Sequence, residues 1–306
     1  MNEFISRIEQ KTKADDAREN KERGKNTHVK VMLVRHEERE GKTDIVGEEG
    51  KKRIESKAER KIDQLRNVPP GEEIKQYILI KGGKDTKRAR HSAQIWAEAL
   101  AKEDASQYSD TDQKRQIEVI NKSGGKYTPD LNEFGIYGTT DLDEIAKGKK
   151  VGNLVRERWL VENPGGDITK VPYDYVVQGL LETPEQIFEE NGIEKPTTVA
   201  SRIAHSVNSG INISRNIYPE LDMVVANFSH SPGIEIFLHR VGIFNKIEEI
   251  GGAINYGEEI EIDIRRDEKG QLVEPMNVNF PERGKTFTID MEKFKKLIED
   301  YKPKQN

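Results

Sequence analysis

Apolar positions along the chain recur with two different periods, and the switches between them predict the elements. "HVKVMLVR" (28–35) is a short, nearly continuous apolar run, too brief for a helix, so it reads as a buried strand. Ile54, Ala58, Ile62 and Leu65 then fall at helical spacing, and "NVPPG" (67–71) ends that helix. "QYILI" (76–80) predicts a second buried strand and "KGGKD" a turn, after which Asp85 caps a helix carrying Ala89, Ala93, Ile95, Trp96 and Leu100. "QIEVI" (116–120) predicts a third strand and "DMVVANF" (222–228) a fourth. Between them, "TPEQIFEENG" predicts a helix with Thr183 as cap, Pro184 as first residue, Gln186 completing a capping box and Gly192 closing it. A longer helix follows over 197–217, and Ser231 and Pro232 open another after the fourth strand.

Strands alternating with helices predict an α/β fold: a three-layer sandwich with a mostly parallel central sheet and helices on both faces. Residues 1–27 read as a flexible charged arm, with Phe4, Ile5 and Ile8 its few apolar positions. Residues 28–306 read as a single α/β domain. Within it, 122–182 is irregular, an insertion or cap punctuated by "KSGGKYTPD", "NPGGD" and "VPYDY". Over 257–302 the strand "EEIEIDIRR", the turn "DEKG" and the strand "KTFTID" predict a hairpin, followed by the amphipathic helix "MEKFKKLIEDY".

Composition narrows the classes. The chain has 306 residues, enough for a sizeable core, and 34% of them are charged against a usual quarter or so. A formal charge of −5 without a long basic block argues against a nucleic-acid partner. With no cysteine, thiolate catalysis, disulfides and cysteine-based zinc sites drop out. No apolar run reaches the roughly 20 residues that span a bilayer, and the charged N-terminus is unlike a secretory signal, so a cytoplasmic protein is expected.

Chemistry gathers at the predicted strand ends. In such sheets ligands bind beyond the carboxyl ends of the strands. The first strand ends at Arg35–His36, the second leads through a glycine turn to a helix opening with Lys87 and Arg88, and the fourth ends at Ser229–His230 before a helix. Two guanidiniums, two imidazoles and a helix N-terminus at one sheet edge suit a small dianion such as phosphate. Each residue alone is weak evidence, and Arg90 and His91 compete with Arg88. His28, His205 and His239 read as packed or surface histidines. Lys147, Lys149, Lys150, Arg156 and Arg158 make the irregular middle basic, which reads as a solvated loop or as a cap for a more anionic substrate. "ERWLVENPGG" reads equally as a helix end packing Trp159 on the core.

These residues resemble the histidine phosphatase superfamily, with its phosphoglycerate-mutase-like fold. That family's Arg-His-Gly motif is similar to Arg35-His36-Glu37, its Arg-Ala-x-x-Thr-Ala motif to Arg88-Ala89-Arg90-His91-Ser92-Ala93, and its late histidine to His230. "VGEEGKKR" (46–53) is similar to the family's Leu-Thr-x-x-Gly helix start, and "LNEFGIYG" (131–138) to the segment that supplies the acid. The resemblance spans about residues 29–250. It implies a metal-independent phosphatase without cofactor, acting on a phosphorylated small molecule or phosphopeptide, with no nucleic-acid or membrane partner. His36 would be the nucleophile that carries a phosphohistidine, while Arg35, Arg88 and His230 hold the phosphate. Because Ser231 follows His230 where a phytase-like branch has Asp, the resemblance implies the branch with its acid upstream, with Glu133 the best match for the general acid and Asp130, Asp141 and Glu144 as competitors.

Glu37 departs from the pattern. A carboxylate where the family has glycine could repel phosphate, or it could point away and orient a neighbour. The first outcome favours a catalytically silent phosphate-binding relative. A mutase on the same site is another reading, and a metal-dependent hydrolase using His36 and His230 a third, opposed by two arginines aimed at the site.

Overall fold

The computed structural model describes residues 22–38, 45–66, 75–82, 87–106, 117–121, 142–219 and 221–300. Its elements, in order, are β1 (His28–Arg35), α1 (Glu48–Arg66), β2 (Lys75–Gly82), α2 (Lys87–Ser106), β3 (Ile117–Asn121), α3 (Leu142–Glu162), α4 (Tyr173–Glu182), α5 (Glu185–Glu190), α6 (Pro196–Ser214), β4 (Leu221–Ser229), α7 (Gly233–Arg240), α8 (Ile247–Ile250), β5 (Glu259–Arg265), β6 (Asn277–Phe280), β7 (Lys285–Thr288) and α9 (Met291–Glu299). The strands form one sheet in the order β3-β2-β4-β1-β5-β6-β7. The pairs from β3 to β1 are parallel, and those from β1 to β7 are antiparallel.

Alternation along the strands splits the apolar residues between two layers. From β1, Val29, Val31 and Leu33 face the larger core, which α6 and α7 share, while Met32 and Val34 face a second core built by α1 and α2 around Ile54, Ala93 and Trp96. β4 divides likewise, Met223 and Val225 to the first, Val224, Ala226 and Phe228 to the second. The three-layer α/β sandwich follows, because parallel strands apolar on both faces must be covered on both. Among the described residues no helix is long and apolar enough to cross a membrane.

Four expectations need correction. The stretch 142–182, read as irregular, contains the helices α3 and α4 joined through a short 3-10 turn at Ile168–Lys170. Its helical signal was diluted by Gly148 and Gly152 and by basic residues, with Val151 and Val155 the buried positions described on α3. α3 and α4 cross where Gly179 has no side chain: a Cβ there would meet a Val155 methyl at 2.3 Å. Thr183 is the C-cap of α4, its hydroxyl donating to the Gly179 carbonyl at 2.7 Å, and extended Pro184 is the cap of α5. Ser231 likewise lies before the cap of α7, which is Pro232, and its hydroxyl donates to Glu235. Finally, "KTFTID" does not pair with β5: the short strand β6 intervenes, and "DEKG" closes a lone bridge between Arg266 and Leu272.

Asp85 and the N-terminal apolar positions lie outside the described residues. Residues 22–27, the end of the expected arm, are tied to the domain. Gly24 N–H donates to the Ile217 carbonyl at 2.9 Å, and the Thr27 hydroxyl to the Ser214 carbonyl at 2.8 Å.

α6 lies close on the sheet because Gly210 faces it. A Cβ at Gly210 would stand 2.5 Å from a Val31 methyl and 2.9 Å from Ile264. Gly210→Val should therefore lower unfolding free energy by about 2 kcal/mol through overpacking, read from the urea midpoint at unchanged m-value.

Candidate active site

Pairing of β1 with β4 brings the two histidines together. Arg35 stands opposite Ser229, and beyond the last pair the His36 amide donates to the Ser229 carbonyl at 2.8 Å. His36 and His230 thus leave adjacent parallel strands at one level. β2 flanks β4 on its other side, with Gly82 opposite Phe228, and leads to α2 and Arg88. The charge of Arg88 acts on both imidazoles. Its competitors are placed elsewhere: Arg90 is exposed, and His91 Nδ1 accepts the Val46 amide at 3.1 Å.

Both imidazoles are buried and neutral. Nδ1 of His36 faces the Glu37 carbonyl at 2.8 Å. A carbonyl can only accept, so Nδ1 carries the proton and Nε2 keeps its lone pair. Burial first, then the charges of Arg88 and Arg35 and coupling to the neighbouring His230, push His36 down to about 3, against the opposing carbonyl bond. His230 is pushed down to about 4 by burial and then by Arg88, Arg35 and Arg202. Neither ring nitrogen of His230 has a hydrogen-bond partner among the described residues, nor has Arg35 Nε. Buried polar groups without partners are costly, and here they share a site with arginine charge, an arrangement that an anion would complete. The two imidazole centroids lie 6.5 Å apart.

Arg35 is held from the loop after α8. Its Nη1 donates to the Ile254 carbonyl, and its guanidinium lies 4.0 Å from the ring centroid of Tyr256 and 5.1 Å from that of Tyr173. Tyr256 also lies 6.0 Å from the His36 ring.

Glu37 is turned away from this pocket. Its Oε2 accepts from Arg53 Nε at 3.1 Å and Nη2 at 2.9 Å, and Oε1 lies so close to Gly257 that a Cβ there would be 2.1 Å away. Gly257 has φ +69°, so both space and backbone demand glycine. The Glu37 amide donates to the buried Ser92 hydroxyl at 3.2 Å, which gives Ser92 a role in orienting the loop after β1. Among the influences on His36, Glu37 acts only through its carbonyl. The carboxylate that threatened to repel phosphate is instead paired with α1.

Glu133, Asp130 and Asp141 lie outside the described residues, as does the Glu144 side chain. His28 contacts Asp263 at 3.1 Å, His205 is exposed, and His239 is half-buried with its ring 5.7 Å from Phe244. Of the basic middle, Arg158 is bound to Glu182 at 3.0 Å and to the Tyr175 hydroxyl at 3.1 Å, while the side chains of Lys147, Lys149 and Lys150 are not described. Trp159 packs beneath Gly166, a Cβ of which would touch its ring at 2.5 Å, and is outside both cores. Sequence reasoning missed Arg53, Tyr173, Glu235, Ile254 and Tyr256. The glycine-rich "GGAINYGEE" (251–259) ahead of a strand was the one available signal for the last two.

No family model and no curated protein matches the chain. Among solved structures it is similar to a mycobacterial glucosyl-3-phosphoglycerate phosphatase (12% identity, 82% of this chain and 97% of that one, TM-score 0.38). It is similar also to a Klebsiella phytase (11%, 90% and 96%, 0.39) and to apo Hafnia alvei phytase (12%, 91% and 96%, 0.42). At such distances the site rests on its own geometry.

Two outcomes follow from this electrostatics. Arg53→Ala leaves the buried Glu37 carboxylate without its charged donor and should cost about 2 kcal/mol in chemical denaturation, whereas Arg53→Lys should cost less. His36 and His230 have folded values near 3 and 4, below the 6.5 of a free imidazole. The unfolded chain therefore binds protons first as pH falls, and these two residues should make Tm drop between pH 6.5 and 4 while contributing nothing above pH 7. The slope of Tm against pH should be shallower in His230→Asn, measured by calorimetry.

Proposed function

We propose that the chain is a phosphomonoester phosphatase that works through a phosphohistidine at His36 and needs no metal ion. The observation that carries this reading is the pair of buried, neutral imidazoles at the ends of adjacent strands, with His230 unpartnered and two arginine charges beside them. His36 Nε2 attacks phosphorus in line with the ester oxygen, forming the N–P bond as the P–O bond breaks. Arg35, Arg88 and the ring N–H of His230 hold the equatorial oxygens, whose charge they stabilise in the transition state. The leaving oxygen takes a proton from the general acid, for which Glu133 is the proposed residue. Water, giving its proton back to that group, then displaces His36 and releases inorganic phosphate. Neutrality of His36 supports the role, since a protonated imidazole has no lone pair to offer. Glu37, paired with Arg53, removes the reason to prefer a silent binder.

An aryl phosphate assay with EDTA present, comparing the wild type with His36→Ala, tests this. EDTA-resistant turnover should fall at least about a thousandfold in the variant. Loss of wild-type turnover in EDTA would point to a metal. Phosphate binding without turnover on a broad phosphoester panel would leave a binding protein.

A further inference from the structure

Glu235 is a wholly buried acid one turn past His230, and the mechanism above does not use it. Its Oε1 accepts two hydrogen bonds, from the Ile254 amide at 3.0 Å and from the Ser231 hydroxyl. Each bond starts an arm that ends at Arg35. Along the first, the Ile254 residue held by its amide turns its carbonyl to Arg35 Nη1. Along the second, Ser231 accepts from the Tyr173 hydroxyl at 2.8 Å, and the Tyr173 ring lies 5.1 Å from the guanidinium. We propose that Glu235 is the positioning residue of Arg35: one buried oxygen organises, through Ile254 and through Ser231–Tyr173, two of the three supports that aim this guanidinium into the phosphate pocket, the third being the Tyr256 ring.

The inference rests on the phosphate-pocket reading and deepens it. Leaving a buried carboxyl on an 8-residue helix is costly in itself. Burial pushes the Glu235 carboxyl up and Arg35 draws it down, so the two groups act on one another although no direct bond joins them. An acid that merely stiffened α7 would not need both of its bonds to lead to the same side chain. Arg35, by contrast, needs external supports: its own β1 backbone fixes Cα, but a guanidinium at the end of four rotatable bonds is aimed only by what touches it.

A double-mutant cycle on the full chain separates positioning from general stability. The dissociation constant of inorganic phosphate is read by 31P NMR titration, which extends into the millimolar range, for the wild type, Glu235→Leu, Arg35→Ala and the pair. Glu235→Leu should weaken phosphate about tenfold, and Glu235→Gln, which keeps the accepting oxygen, should restore most of the loss. In the Arg35→Ala background, Glu235→Leu should change nothing further. Equal losses in both backgrounds would overturn the inference. Should Glu235→Leu not fold, Tyr173→Ala, at a side chain 42% exposed, cuts the second arm, and additivity of its effect with Arg35→Ala would overturn the inference equally. A wild-type chain that binds no phosphate would instead overturn the pocket reading, and the inference with it.

Discussion

The hydrogen bond from the His36 amide to the Ser229 carbonyl is the constraint on which the site depends. It extends the parallel pairing of β1 and β4 one residue past the last strand position, so the backbone that carries one imidazole is fixed to the backbone that precedes the other. Parallel register does the rest. Strands lying side by side in one direction end at one edge, and residues at matched positions emerge together. With β4 between β1 and β2, the helix that carries Arg88 starts from the same edge. No long side chain is needed to span a gap, and the rigid sheet sets the spacing of the histidines.

Around that edge the chain sorts its charges. Positive and imidazole groups gather at the edge, while nearby carboxylates are bound to other partners, two of them through a single oxygen: Glu37 Oε2 with Arg53, Glu235 Oε1 with Ser231 and Ile254, and Glu258 with Arg283. Arg283 also binds the carbonyls of Ile250, Gly252 and Ala253, which makes the loop carrying Ile254 and Tyr256 a braced element. Desolvation is the larger influence on both histidines, and it holds them neutral at physiological pH. A dianion held in such a place would exchange repulsion between cations for attraction.

Much of this was legible in the chain. β1, β2, β4 and the helices α1, α2 and α6 show strong periodicity because their apolar residues face cores, and the chemistry-bearing residues stand at their ends. The errors have physical sources. α3 carries glycines and many charges, so its local propensity is low, and its fit against α4 through Gly179 is a tertiary matter. β6 is 4 residues long, the shortest run that reads as a strand, and two of the four are asparagines, which strands disfavour. Thr183 and Ser231 have the composition of caps, but the proline after each is extended or half in the helix, and the hydroxyl found another acceptor.

Periodicity and turn chemistry thus determined the sandwich and named Arg35, His36 and His230 at strand ends and Arg88 at the start of the helix after β2, since burial of alternating faces is a local pattern. Tertiary structure alone decided that β4 lies between β1 and β2, that Glu37 turns to Arg53 and that Glu235 stands behind Arg35. Strand order and side-chain direction depend on contacts between residues as far apart as Glu37 and Gly257, and no local preference encodes a partner that distant.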